Sequence, residues 1–153
     1  FTRKINEVTP MSINKFNSEG YYDPTAYEAL ANIEKEERAL RAFRPIVYIC
    51  SPYAGDVTAN VENARRYSRF AVDMGYIPIA PHLLFPQFLC DDNPKERQLG
   101  LFFGNALMSK CSEVWVFGEY ISSGMEAEIR RAKWKNYRLR YFTAACEEVT
   151  DYA

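Results

Sequence analysis

Residues 45–56 read PIVYICSPYAGD and residues 76–80 read YIPIA, with Val57 to Gly75 between them. Pro45 to Cys50 is a short, continuously apolar run, the pattern of a strand buried on both faces of a parallel sheet. Ser51 to Asp56 breaks it with small and turn-forming residues. From Val57 onward the apolar positions are Val57, Val61, Ala64, Tyr67, Ala71 and Met74. Their spacings of three and four form one helical face, and Arg65, Arg66 and Arg69 line the other. Gly75 is a natural residue just past a helix end. Tyr76 to Ala80 reads as a second strand. The unit is strand, loop, helix, glycine, strand, which predicts a right-handed βαβ crossover. Pro78 has no N–H for a central ladder, so this strand belongs near an edge or carries a bulge.

Working outward from this unit, residues 1–22 are polar and read as an arm. Asp23 suits an N-cap and Pro24 a first helical position, starting a helix that runs to about Ala42. Downstream, residues 81–95 read as a long loop. A helix follows from Pro94 to Ser109, then a strand at Val114–Phe117, a loop at Gly118–Ser123, a helix at Gly124–Lys135 and a last strand at Arg138–Phe142. In the last helix Met125, Ile129 and Ala132 face inward. The prediction is an α/β fold: a doubly wound (Rossmann or flavodoxin-like) parallel sheet of four to five strands flanked by helices, with an N-terminal arm and helix. Residues 1–44 form the arm and helix, and residues 45–153 the α/β domain. A chain of 153 residues can bury a core without disulfide or metal staples.

Composition limits the partners. A net charge of −1 offers no basic excess for a nucleic-acid polymer or a membrane surface. A single nucleotide, which needs only a local site, stays open. Cys50, Cys90, Cys111 and Cys146 are scattered without a CxxC pair, and His82 is the one histidine, so no metal and no other cofactor is expected. Cys50 and Cys111 sit in or beside apolar runs and read as buried thiols, and free thiols suit a reducing, cytoplasmic location. No apolar run approaches the roughly 20 residues of a membrane span. The opening FTRKINEVTP lacks the apolar stretch of a signal peptide. It starts on Phe1, which suits an excised piece or a natural start at Met11.

In doubly wound sheets ligands bind beyond the carboxyl ends of the strands, where the strand order reverses. The loops there are 51–56, 81–93 and 118–124. Ser51, Pro52, Tyr53 and Gly55 belong to the first. Its small residues let a ligand approach the backbone, although the same residues also make a plain turn and lack a phosphate-loop pattern. His82 follows the second strand, as a structural imidazole or a cleft residue. Ser122, Ser123, Gly124, Met125 and Glu126 open the last helix. There a serine can cap, and Glu126 is either a first-turn charge favoured by the helix dipole or a reactive carboxylate. Glu128 reads as solvated. Asp91 and Asp92 lie on the long loop as turn formers, or as an acid or base across the cleft.

A small-residue turn after the first strand, an acid opening Glu113-Val114-Trp115-Val116, and Ser123-Gly124-Met125-Glu126 at a helix start together resemble the nucleoside 2-deoxyribosyltransferase family. That family includes the 2′-deoxynucleoside 5′-phosphate N-hydrolases. The resemblance spans about residues 45–142. The whole chain, including Phe16 to Thr25, is also similar to uncharacterised proteins of bacteria and phages. The resemblance implies a nucleoside or nucleotide substrate and a glutamate nucleophile at Glu126. It implies a sugar-binding turn at Ser51–Gly55, with Tyr53 stacking on or bonding the nucleoside. A glycosyl-enzyme intermediate would pass its sugar to water or to a second base. It also implies a homo-oligomer whose subunits complete one another's sites, for which the aromatics of loop 81–93 are candidates. Where family members usually carry an aspartate eight residues before Glu113, this chain has Asn105. An amide cannot take a proton as a carboxylate does, so the chemistry is altered, moved to Asp91 or Asp92, or replaced by binding alone.

Overall fold

The computed structural model describes residues 23–150. The expected arm at 1–22 lies outside the described residues. The chain divides after Phe43 into two units. The first contains helix α1 (Pro24–Leu40), whose N-cap Asp23 accepts a hydrogen bond from the Ala26 amide at 3.2 Å, with Pro24 in its first turn.

The second unit, Arg44–Ala153, is a five-stranded sheet with helices. Its elements are β1 (Ile46–Cys50), α2 (Val57–Asp73), β2 (Ile77–Ile79), α3 (Pro81–Leu84) with a 3-10 turn at Phe85–Gln87, α4 (Pro94–Met108), β3 (Glu113–Phe117), α5 (Ser123–Trp134), β4 (Arg138–Phe142) and β5 (Glu148–Val149). The strand order is β2-β1-β3-β4-β5. The first four strands are parallel and have the flavodoxin-like order, with its switch point between β1 and β3.

Each local reading has a visible cause. Asp56, Asn93 and Ser122 cap α2, α4 and α5 with their side chains. Gly75 takes φ +87 just past α2, in the left-handed region glycine enters without penalty. Pro78 lies on β2, which is an edge strand. Two readings are corrected. The long loop at 81–95 contains α3 and the 3-10 turn, because Pro81 and Pro86 each occupy an opening helical position. The sheet is mixed rather than wholly parallel. β5 turns back against β4, with Tyr141 facing Val149, after a turn in which Cys146 takes φ +62.

Alternation along the strands builds two cores. Val47, Ile49, Trp115, Phe117 and Phe142 meet Tyr67 and Ala71 of α2, and the Tyr67 and Phe117 rings stack at 4.2 Å. On the other face Tyr48, Cys50, Val114 and Val116 meet Met108 of α4 and Met125 and Ala132 of α5. Burying a side chain such as Ile49 or Val116 contributes about 2 kcal/mol. Cys50 is buried as expected, whereas Cys111 is half-buried. Among the described residues no helix is long and apolar enough to cross a membrane.

Candidate active site

The carboxyl ends of β1, β2 and β3 open into one cavity of about 250 Å³. It lies at the small end of ligand-binding cavities and is partly apolar, with a few convergent polar groups. One wall is the turn after β1. Asp56 accepts from the Ala59 amide at 3.2 Å, and the Asn60 side chain donates to the carbonyls of Tyr53 and Ala54 at 2.9 and 3.1 Å. That bracing turns Ser51, Tyr53 and Ala54 to the cavity. Pro52 and Gly55 do not line it. Gly55 takes φ +97, so its contribution is the turn itself.

A second wall comes from α3 and α4. His82 lines the cavity, and its Nε2 lies 2.9 Å from Ser51 Oγ. This bond ties the ends of two neighbouring strands. Burial pulls the imidazole down to about 4 from its ordinary 6.5, so at neutral pH it is an uncharged hydrogen-bonding group. Asp91, Glu96, Arg97 and Asn105 also face the cavity, whereas Asp92 does not. Glu96 is held back by a bond from the Cys90 amide at 3.1 Å. At Gly104 a Cβ would sit 3.4 Å from the Tyr48 hydroxyl, so the missing side chain lets α4 come close to β1.

The third wall is the start of α5. Ser122, Ser123, Gly124, Met125 and Glu128 line the cavity, and Glu126 does not. Glu126 faces solvent with its side chain 69% exposed, 3.9 Å from Arg130 one turn on. The expectation that Glu126 points into the cleft is therefore corrected. Helical spacing is the reason. Glu128 lies three residues after Met125 and four before Ala132, both buried, so it shares their inward face. Glu126 lies four before Arg130, on the wet face.

Glu128 Oε1 accepts a hydrogen bond from the Tyr48 hydroxyl at 2.7 Å, whereas the Cys50 thiol faces the Met125 carbonyl at 4.0 Å. Burial raises the carboxyl above its ordinary value, while the nearby thiol of Cys50 and the bond from Tyr48 pull the other way. The Tyr48 hydroxyl is itself pushed well above its ordinary value, first by burial and then by the Glu128 charge, so it remains a donor. Tyr48 and Glu128 are cavity groups that the sequence reading missed. Two signals pointed to them: the shared strand face of positions 48 and 50, and the shared helix face of positions 125, 128 and 132.

Among the described residues no three His, Cys, Asp or Glu side chains gather as a metal site requires. What the arrangement can do is offer an uncapped carboxylate, aligned by a neutral donor, to a polar ligand in a half-enclosed space.

No curated protein matches the chain in sequence. Among solved structures, a 2-deoxyribosyltransferase from the psychrotolerant bacterium Bacillus psychrosaccharolyticus is similar over 64% of this chain and 72% of its own. The TM-score is 0.55 and the identity 11%, a likeness of fold. Residues 45–142 match the family described as Domain of unknown function (DUF7768), and because the match covers well over half of the sequence, the chain belongs to that family.

Proposed function

We propose that this protein cleaves or transfers the N-glycosidic bond of a deoxynucleoside or nucleoside 5′-phosphate, with Glu128 as the nucleophile. The observation that carries the reading is the Glu128 carboxylate on the cavity wall, with Tyr48 donating to one of its oxygens and no cation bonded to it among the described residues. An arginine partner would tie up the lone pairs needed for attack, and a neutral donor leaves one oxygen available.

In the first step a Glu128 oxygen attacks the anomeric carbon. The bond to the base breaks, its electron pair leaves with the base, and a donor protonates the base. Asp91, the carboxyl on the facing loop, is our candidate for that donor, and it takes back a proton from the attacking water in the second step. In the second step water or another base attacks the same carbon, the ester bond breaks, and the carboxylate returns. Ser51 and neutral His82 supply hydrogen bonds for the sugar or base, and Tyr53 supplies a ring at the mouth.

The test is incubation with 2′-deoxynucleosides and their 5′-phosphates, with and without acceptor bases, following free base by chromatography. Base release should appear with at least one substrate and fall roughly a thousandfold or more in Glu128→Gln. No release from any substrate would defeat the reading.

A second reading, a nucleotide-binding protein without turnover, is favoured by Asn105 on the cavity wall at a position where the resemblance implies an aspartate. Recovery of an intact nucleotide from the protein, with no base released over prolonged incubation, would select it.

A further inference from the structure

We propose that the substrate of this cavity is an N-glycoside whose base carries a positive charge, a pyridinium or an N7-alkylated purine, and that the base supplies the counter-charge the Glu128 carboxylate lacks. The inference rests on the reading of Glu128 as nucleophile, and it narrows that reading to one class of leaving group.

The charges on the cavity wall are unequal. Asp91, Glu96 and Glu128 line it against the guanidinium of Arg97, and the neutral His82 adds none. Glu128 is bonded by the Tyr48 hydroxyl at 2.7 Å, and among the described residues it makes no ion pair. Arg130, a cation on the next turn of α5, lies 3.9 Å from Glu126 instead. Arg97 is exposed and belongs to the far end of the α4 wall. Two turns of α4, a rise of roughly 10 Å, separate it from Gly104, where a Cβ would meet the Tyr48 hydroxyl. A carboxylate held by a neutral donor in a half-enclosed space is costly to keep ionised, and a cation against it removes that cost. A cleft dominated by charges of one sign also draws in ligands of the other. Tyr53 and Phe85 line the same space, and aromatic ring faces attract a cation.

The same class of substrate eases the first step. A neutral base must gain a proton as its bond to the sugar breaks. Next to Gly104 the cavity-lining side chain of α4 is Asn105, an amide with no acidic proton to give. A base that is already cationic needs none. A Glu128 oxygen bonds the anomeric carbon, the C–N bond breaks, and its electron pair cancels the positive charge of the ring. The base departs neutral. Water then attacks the same carbon, the ester bond breaks, the carboxylate returns, and the proton of the water passes to Asp91.

The test reads charge and turnover separately, on the full chain. By calorimetry, binding of the ring-N-methylated nicotinamide cation is compared with binding of m-toluamide, its neutral isostere. The cation should bind roughly tenfold tighter or more, and the preference should shrink to about threefold or less in Glu128→Gln. Equal binding, tighter binding of the neutral ring, no binding of either, or a preference untouched in Glu128→Gln overturns the proposal. For turnover, single-turnover base release, less the uncatalysed rate, is followed from nicotinamide 2′-deoxyriboside and N7-methyl-2′-deoxyguanosine beside 2′-deoxyguanosine. At least one cationic substrate should outpace the neutral one by roughly tenfold or more, and which of them does so identifies the ring. In Asp91→Asn, release from the cationic substrate should hold within about threefold, whereas any release from the neutral one should fall about a hundredfold. Faster release from 2′-deoxyguanosine overturns the proposal and leaves the role of Glu128 standing. No release from any substrate defeats the functional reading, and the binding comparison then decides by itself whether the cavity selects cations.

Discussion

The sheet carries a sequestered carboxylate at each end, and the two are partnered in opposite ways. At the amino ends of β3 and β4, Glu113 is buried and saturated. Arg138 lies 3.0 Å from one oxygen, Arg140 lies 3.3 Å from the other, and the Trp115 indole donates to that second oxygen at 2.7 Å. Arg140 also pairs with Glu148 at 2.8 Å, which fastens β5 to the sheet. At the carboxyl ends, Glu128 has the Tyr48 phenol and, among the described residues, no cation, and it opens on a cavity. A carboxylate neutralised by arginines is stable and chemically quiet. One held only by neutral donors is costlier to keep ionised and freer to react. The first belongs to the architecture, and the second is the one the proposed reaction uses.

The largest expected effect separates the two roles. Glu128→Gln should abolish base release, by roughly a thousandfold or more, or about 4 kcal/mol on the barrier. The amide oxygen still accepts the Tyr48 bond, so urea unfolding should differ from wild type by no more than about 1 kcal/mol. Next in size, Glu113→Gln should cost about 2 kcal/mol of unfolding free energy, because it takes the buried charge from Arg138 and Arg140 and weakens the indole bond, while Arg140 keeps its pair with Glu148. Turnover per folded molecule should be unchanged. A variant that loses activity at Glu113 while keeping its stability would erase the contrast.

The cavity end also has a pH signature. The folded protein holds His82 at about 4, below its ordinary 6.5. As pH falls through about 6.5, the unfolded chain takes a proton that the folded protein refuses, so stability is lost from there down to the folded value. Between about pH 7 and about pH 5 this removes about 2 kcal/mol. Glu128 works in the opposite sense: its raised value makes the folded state the better proton acceptor as pH falls toward the ordinary carboxyl range. His82→Gln isolates the first effect and should flatten the decline between those two pH values in urea unfolding. An undiminished decline would mean that the imidazole is not sequestered at the strand ends.

Most of the architecture was legible because its causes are local. The apolar run of β1, the spacing of α2, the caps at Asp23 and Ser122 and the edge position of Pro78 all follow from neighbours in sequence. β5 was not legible. A two-residue strand has no periodicity to read, and the contacts holding it, Arg140 with Glu148 and the ladder from Tyr141 to Val149, are tertiary. The cavity loops were located correctly, since they follow from strand order. The individual side chains on them were legible only in part: Ser51, Tyr53, His82, Asn105, Ser123 and Gly124 line the cavity, while Pro52, Gly55, Asp92 and Glu126 do not. In each acidic pair one member lines the cavity: Asp91 rather than Asp92, and Glu128 rather than Glu126. Which member turns inward is set by a helix phase or a turn that motif spelling alone does not fix.

The smallest expected effect bears on that choice. Glu126 and Glu128 share a helix, a charge and nearly a position, so motif matching alone cannot separate them. Their surroundings do. Glu126 is a solvated first-turn acid whose contacts are the dipole of α5 and a long pair with Arg130. Such a site is worth a few tenths of a kcal/mol. Glu126→Ala should therefore change base release by less than about twofold and unfolding free energy by less than about 0.5 kcal/mol. A collapse of turnover in Glu126→Ala with Glu128→Gln active would require α5 to rotate by most of a half-turn about its axis when substrate binds. That rotation would have to lift Met125 and Ala132 out of the core they fill. The packing cost of exposing those two side chains is what keeps the inward glutamate, rather than the one the motif suggests, on the cavity wall.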